Sequence, residues 1–181
     1  EKKEEIKDDI YILITEQIEN NISFSKFIKN SENIKEKDLF KIILLILHAL
    51  YIMTKHKIQH NDDHFGNILI KELDEPKKFL IKVGNKKFSV KSKYQPYIFD
   101  WDRGFIENKI ENPYLSEKRC HTRSSAECGK FNPKRDIYTF ACNLDDYLSK
   151  SDRYPRIKKF LYEHIDPALI TLNKEKSIPN P

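Results

Sequence analysis

The apolar positions fall into short runs separated by polar stretches, and the runs differ in period. Ile-Tyr-Ile-Leu-Ile-Thr at 10–15 is β-branched and aromatic, and predicts a buried strand. A polar, turn-like stretch follows to Asn21. Phe24, Phe27 and Ile28 recur at helical spacing after Ser23, whose hydroxyl suits an N-cap, so a short helix with these three facing inward is predicted. The range from Asn33 to about Lys57 gives the strongest helical signal, with Asn33 and Glu36 spaced as a capping box. Its middle, Leu39 to Tyr51, is apolar nearly all round, which predicts a helix covered on most sides. Ile68-Leu69-Ile70 predicts a short strand. Two alternating runs, Lys78–Val83 and Lys86–Val90, flank Gly84-Asn85 and predict a β-hairpin. Tyr97-Ile98-Phe99 predicts another short strand, and 103–135, with weak periodicity and Pro113 and Pro133, a long loop. Helices are predicted over about Asp136–Leu148 and Arg156–His164, followed by a loose polar tail from Asn173 to Pro181. No internal repeat is visible. The expected class is α+β.

Composition narrows this picture without changing it. The 181 residues fit one domain, and 39% hydrophobic against 34% charged residues predict a soluble globular chain. The net charge of +5 is a mild excess, spread among acidic residues, so a mixed solvated surface is expected rather than a polyanion footprint. Lys86, Lys87, Lys91 and Lys93 with Tyr94 and Tyr97 form the densest basic stretch; a solvated hairpin face is preferred there to nucleic-acid contact. An odd set of cysteines, Cys120, Cys128 and Cys142, predicts reduced thiols and an intracellular setting. The charged N-terminus carries no signal-peptide pattern and no initiator Met, so the chain reads as a fragment or processed product. Leu39–Met53 is interrupted by Lys41 and His48 and is too short to span a bilayer, so no membrane association is expected.

Candidate chemistry concentrates in His60-Asn61-Asp62-Asp63-His64-Phe65-Gly66-Asn67, which has the form H-x-D-x-x-x-x-N and runs into a strand. A loop of this kind can set a carboxylate, Asp62, beside an attacking hydroxyl and an amide oxygen, Asn67, beside a cation. A second carboxylate follows a strand in Phe99-Asp100-Trp101-Asp102-Arg103-Gly104. Asp136-Ile137-Tyr138-Thr139-Phe140-Ala141 opens a helix. These motifs resemble those of the protein-kinase superfamily. The H-x-D-x-H-x-G-N form is more similar to haspin, to aminoglycoside kinases and ABC1-type atypical kinases, and to kinases encoded by large DNA viruses. The resemblance covers 10–148 and rests on order: hinge strand, short helix, long buried helix, catalytic loop, strand pair, D-W-D, loop, D-I-Y-T-F helix.

The resemblance implies a protein-kinase-like fold. Residues 1–181 would form a mainly helical C-terminal lobe with small hairpins, 10–22 being the last N-lobe strand and hinge and 23–175 the helical lobe, with the rest of the N-lobe missing from this chain. It implies ATP and Mg²⁺ as cofactors. Asp62 would be the catalytic base, His64 would meet the γ-phosphate, and Asn67 and Asp100 would hold the metal. Thr15 would be the gatekeeper, the Glu16, Gln17 and Ile18 backbone would meet adenine, and Leu69 and Phe99 would complete the nucleotide contacts. His60 and Asp136 would be structural, the His60 ring packing near Asp100 and Asp136 bonding the loop backbone. The implied function is ATP- and Mg²⁺-dependent phosphoryl transfer, first to a Ser/Thr hydroxyl of a protein and second to a small molecule. The expected location is cytoplasm or nucleus, or the host cell or virion for a viral chain. Departures from the family are the absent Gly-rich loop, strand lysine and helix glutamate, the absent Ala-Pro-Glu, Asp102 in place of Gly, and His64 in place of Lys. They keep a second reading open, a pseudokinase or scaffold that binds a protein partner without catalysis. Two metal readings are weaker. A hydrolase cluster of His60, Asp62, Asp63 and His64 lacks an imidazole at Ile58, and a zinc site at Cys120, His121 and Cys128 lacks a fourth ligand.

Overall fold

The computed structural model describes residues 17–30, 34–109, 112, 130–150 and 152–164. The strand predicted at 10–15, most of the 103–135 loop and the C-terminal tail lie outside these residues, as do Thr15, Glu16, Asn33, Cys120 and Cys128. Among the described residues the chain mixes α and β, with four α-helices and two small antiparallel sheets. In order these are β1 (Asn21–Ser23), α1 (Phe24–Asn30), α2 (Glu36–Lys55), β2 (Ile58–Gln59), β3 (Ile68–Val83), β4 (Lys86–Ile98), β5 (Phe105–Ile106), α3 (Arg135–Ser149) and α4 (Pro155–His164). One sheet runs β1-β3-β4 and the other pairs β2 with β5.

Ser23 Oγ accepts a hydrogen bond from the Lys26 amide at 3.4 Å, and Phe24, Phe27 and Ile28 are buried, as the spacing predicts. The preceding Asn21–Ser23 forms a strand on β3 that no apolar alternation announces. In α2, Leu39, Ile42, Ile43, Ile46, Leu50 and Met53 join the main core with α1, α3 and α4. Leu45 faces the other way, into a second cluster with Ile81 and Val90 of the hairpin. A helix wedged between a helical layer and a sheet needs two apolar faces, which accounts for its nearly continuous hydrophobic run. Asn33 of the expected capping box lies outside the described residues. α2 starts at Glu36 behind Lys35, which gives no side-chain cap, and Glu36 Oε1 instead accepts from the Arg156 and Ile157 amides at 2.7 and 3.1 Å. The orphan amides opening α4 outcompete those of α2 for this carboxylate.

The two strands and the hairpin expected between Ile68 and Phe99 are one long hairpin. Residues 73–76, including Pro76, lie opposite Lys93 alone, because Glu72 pairs with Tyr94 and Lys77 with Ser92. Three extra residues, an odd number, exchange the faces of β3. Ile68 and Ile70 face the main core before the bulge, whereas Phe79 and Ile81 face α2 after it. Gly84 closes the hairpin at φ 57°, a conformation an L side chain resists, and Asn85 does not share it.

Candidate active site

The loop 60–67 leaves β2 and enters β3 through a single 3₁₀ turn, Phe65–Asn67. Asp136, in the first turn of α3, anchors its start. The His60 amide donates to Asp136 Oδ2 at 2.7 Å and the Asn61 amide donates to Oδ1 at 3.1 Å. Burial raises the Asp136 carboxyl above its ordinary value, and the two amide bonds pull against that shift.

The fully buried His60 ring ties the loop to the end of the hairpin. Its Nδ1 accepts from the Asp62 amide at 3.2 Å, so the proton sits on Nε2, which donates to the Phe99 carbonyl at 2.8 Å. The ring also packs edge-on against Trp101, with centroids 4.7 Å apart. With both nitrogens committed, the ring has no lone pair for a metal, and the hydrolase cluster falls away.

Asn67 is buried and holds Asp62 directly. Its Nδ2 donates to the Asp62 carbonyl at 2.9 Å and to Asp62 Oδ2 at 3.4 Å. Its own carbonyl accepts from the Phe99 amide at 3.1 Å, which continues the hairpin ladder to the residue before Asp100. Asp100 is exposed, with φ 64°, and Asn61 has φ 65°; Asn and Asp tolerate this left-handed region better than bulkier residues. His60, Asp62, Asn67, Phe99 and Asp136 are therefore joined by one set of bonds running between the loop, the hairpin base and α3, and Asp100 follows Phe99 in the chain.

The remaining candidates are less tightly held. His64 is exposed, and its Nδ1 accepts from the Gly66 amide at 3.0 Å. A Cβ at Gly66 would lie 2.7 Å from His64 Cε1, so glycine gives this ring its room. Leu69 is half-buried between Ser23 and Tyr97 in the sheet, and Phe99 is half-buried. Gln17 is exposed and Ile18 half-buried; the Ile18 carbonyl accepts from Asn21 Nδ2, and no hydrogen bond among the described residues joins either to the loop. Thr15 and Glu16 lie outside the described residues.

Four more residues enter the site, and of these the motifs gave a chemical reading only to Asp63, in the hydrolase cluster. Asn61 Nδ2 donates to the Arg103 carbonyl at 2.9 Å, and its Oδ1 accepts from Gln59 Nε2. Gln59 Oε1 in turn accepts from the Asn132 amide at 2.7 Å, which ties the segment before α3 to the loop. Arg103 Nη1 stands 3.6 Å from Asp62 Oδ1, so a half-exposed cation faces the candidate base. Asp63 is buried, and burial first, then the neighbouring Asp136, push its carboxyl well above the ordinary range, against the pull of the Arg135 guanidinium. Asp63 and Asn61 sit inside the motif and were legible as polar residues, whereas the partners of Arg103 depend on chain crossings forty residues apart.

Among the described residues no three His, Cys, Asp or Glu side chains converge on a metal position. The donors present are the Asn67 amide oxygen, left over once Nδ2 serves Asp62, and the exposed Asp100 carboxylate. Hard oxygens of this kind are the donor class that Mg²⁺ takes beside phosphates and water, and two are too few for a site that must hold metal alone. No family model, curated protein or solved structure matches the chain.

Proposed function

We propose that this chain carries the catalytic loop of an ATP- and Mg²⁺-dependent phosphotransferase acting on a hydroxyl, with a protein Ser/Thr acceptor preferred over a small molecule. One observation carries the reading: the His60 ring bonds the Asp62 amide on one side and the Phe99 carbonyl on the other, while Asn67 bonds Asp62 and the Phe99 amide. These bonds fix Asp62 to Asn67 and tie both to Phe99, the chain neighbour of Asp100, which supports the reading of Asp62 as base and of Asn67 and Asp100 as metal donors. Phosphoryl transfer is catalysed chiefly by such positioning and by charge stabilisation. In this reading Asp62 orients the acceptor hydroxyl and takes its proton. Asn67 Oδ1 and Asp100 would hold Mg²⁺ together with the phosphates, and the ion would supply neutralisation of phosphate charge. His60 and Asp136 are positioning residues, and exposed His64 stands free to meet a phosphate oxygen.

The Arg103–Asp62 ion pair favours the second reading, a partner-binding module without catalysis, because it occupies the carboxylate that transfer needs. The pair is more than half exposed on the Arg103 side and so is weak. The test is thermal unfolding with ATP, with and without Mg²⁺, beside Asp100→Asn. A ligand that binds only the folded state raises the midpoint by mass action. A Mg²⁺-dependent rise that vanishes in the variant is expected. No rise with Mg²⁺-ATP would mean that this chain does not bind nucleotide by itself.

A further inference from the structure

The distal half of the hairpin carries charge that the candidate site does not use. Between Pro76 and Lys93 there are seven lysines and no acidic residue, while the whole chain carries only +5, so the rest of the molecule sums to −2. The register sorts these lysines. Phe79, Ile81 and Val90 face α2, so the residues that alternate with them, Lys78, Leu80 and Lys82 on β3 and Lys87, Ser89 and Lys91 on β4, form the outward face. Lys78 lies directly opposite Lys91, Lys82 directly opposite Lys87, and Leu80 opposite Ser89 between them. All six are exposed, Leu80 at 65%. None of the four lysines forms an ion pair among the described residues; the nearest paired one, Lys93, reaches Glu72 beyond the bulge.

Like charges directly opposite each other destabilise a sheet. Single lysines would protect an open strand edge as well as facing pairs do, and edge protection gives no reason for an exposed leucine at the centre. We infer that this face docks an extended acidic segment of a partner protein, with an acidic residue, any residue, an apolar residue, any residue and an acidic residue in sequence. The complement follows from the strand itself. In extended chain, residues i, i+2 and i+4 share a face and span about 13 Å, the separation of Lys78 from Lys82 with Leu80 midway. Each acidic side chain then meets a cross-strand lysine pair, and the apolar side chain covers Leu80.

Two other classes of polyanion fit less well. Nucleic acid offers no aliphatic partner for Leu80, and the face lacks the arginines that grip phosphate in two-pronged fashion. A bilayer entered tip-first would bury Lys82, Lys86 and Lys87 before Leu80, because they lie nearer the Gly84 turn. The docking face is independent of phosphoryl transfer, and its test needs no ATP.

The experiment is fluorescence anisotropy of this chain with labelled peptides repeating Glu-Ser-Leu-Ser-Glu, beside the same composition rearranged to Glu-Leu-Ser-Ser-Glu. A poly-dT oligonucleotide and phosphatidylserine vesicles are the competing probes. The in-register peptide is expected to bind, and the Lys82→Glu/Lys87→Glu double variant to weaken it about tenfold or more, since two lost ion pairs and new repulsion add. Leu80→Ser is expected to erase the preference between the two peptides. Equal binding of both peptides to the unaltered chain overturns the inference, as does binding unmoved by the charge reversal, failure of both peptides, or tighter binding of the oligonucleotide or the vesicles. All three substitutions are at exposed positions, so retained unfolding midpoints separate lost docking from lost folding.

Discussion

Asp63 is 1% exposed, and neither of its carboxylate oxygens has a hydrogen-bond partner among the described residues. A buried polar group in this state costs about 1–3 kcal/mol. Its carboxyl is raised, so the folded state holds the proton more tightly than the unfolded chain does. Stability from such a group is fully present below the unfolded value near 4 and is lost as pH rises through the folded value. Urea midpoints of the native chain should therefore fall from mildly acid toward neutral pH. Asp63→Asn should flatten that slope, and Asp63→Leu should raise stability at pH 7.5 by about 1–3 kcal/mol. An Asp63→Leu midpoint below the native one at that pH would mean that the carboxylate has a partner. Asp136 is the opposite case, since its oxygens satisfy the His60 and Asn61 amides. Asp136→Ala leaves two buried donors unpaired and should cost about 2–4 kcal/mol by the same measurement.

At the scale of elements, α4 is held by a residue of α2. Glu36→Ala removes the acceptor for the Arg156 and Ile157 amides and should cost about 1 kcal/mol, the usual worth of a helix cap. Hydrogen exchange at those two amides should quicken in Glu36→Ala and stay near native in Glu36→Gln, which keeps an oxygen there. The four described helices were legible because each buries a stripe at helical spacing, such as Phe24, Phe27 and Ile28 in α1. β1 was not, since Asn-Ile-Ser has too few residues to show a period and becomes a strand only against Leu69–Lys71. The long hairpin shows in the sequence only as separate pieces, because its bulge reverses the alternation of β3 between Glu72 and Lys77. In the site, the motif spacing pointed to Asp62 and Asn67, which are hydrogen-bonded to each other, and to Asp100, which follows the Phe99 that bonds Asn67. The Asn61 bond to Arg103 and the Gln59 bond to Asn132 join segments 42 and 73 residues apart, and no local pattern encodes them.

At the scale of the whole molecule, the bonds that gather the candidate site also divide its labour. Asp62 is held through its amide and carbonyl as well as its side chain, so changing its carboxylate leaves the loop anchored by His60 and Asn67. Asp100 contributes no hydrogen bond to the loop among the described residues, so its substitution touches metal binding alone in the proposed reading. The two positions should therefore fail differently. Asp62→Asn should keep the Mg²⁺-dependent rise in unfolding midpoint with ATP while phosphoryl transfer falls by about 10²–10⁴-fold, the usual worth of a positioned general base. Asp100→Asn should lose both together. Arg103→Ala, which frees Asp62 from its ion pair, should keep the nucleotide response and leave transfer unchanged or faster. Transfer measured with a hydroxyl acceptor, beside the thermal response of all three variants, separates the readings. If Asp62→Asn transfers as fast as the native chain, Asp62 is not the base; if neither the native chain nor Arg103→Ala transfers while both bind Mg²⁺-ATP, the nucleotide serves a partner-binding module.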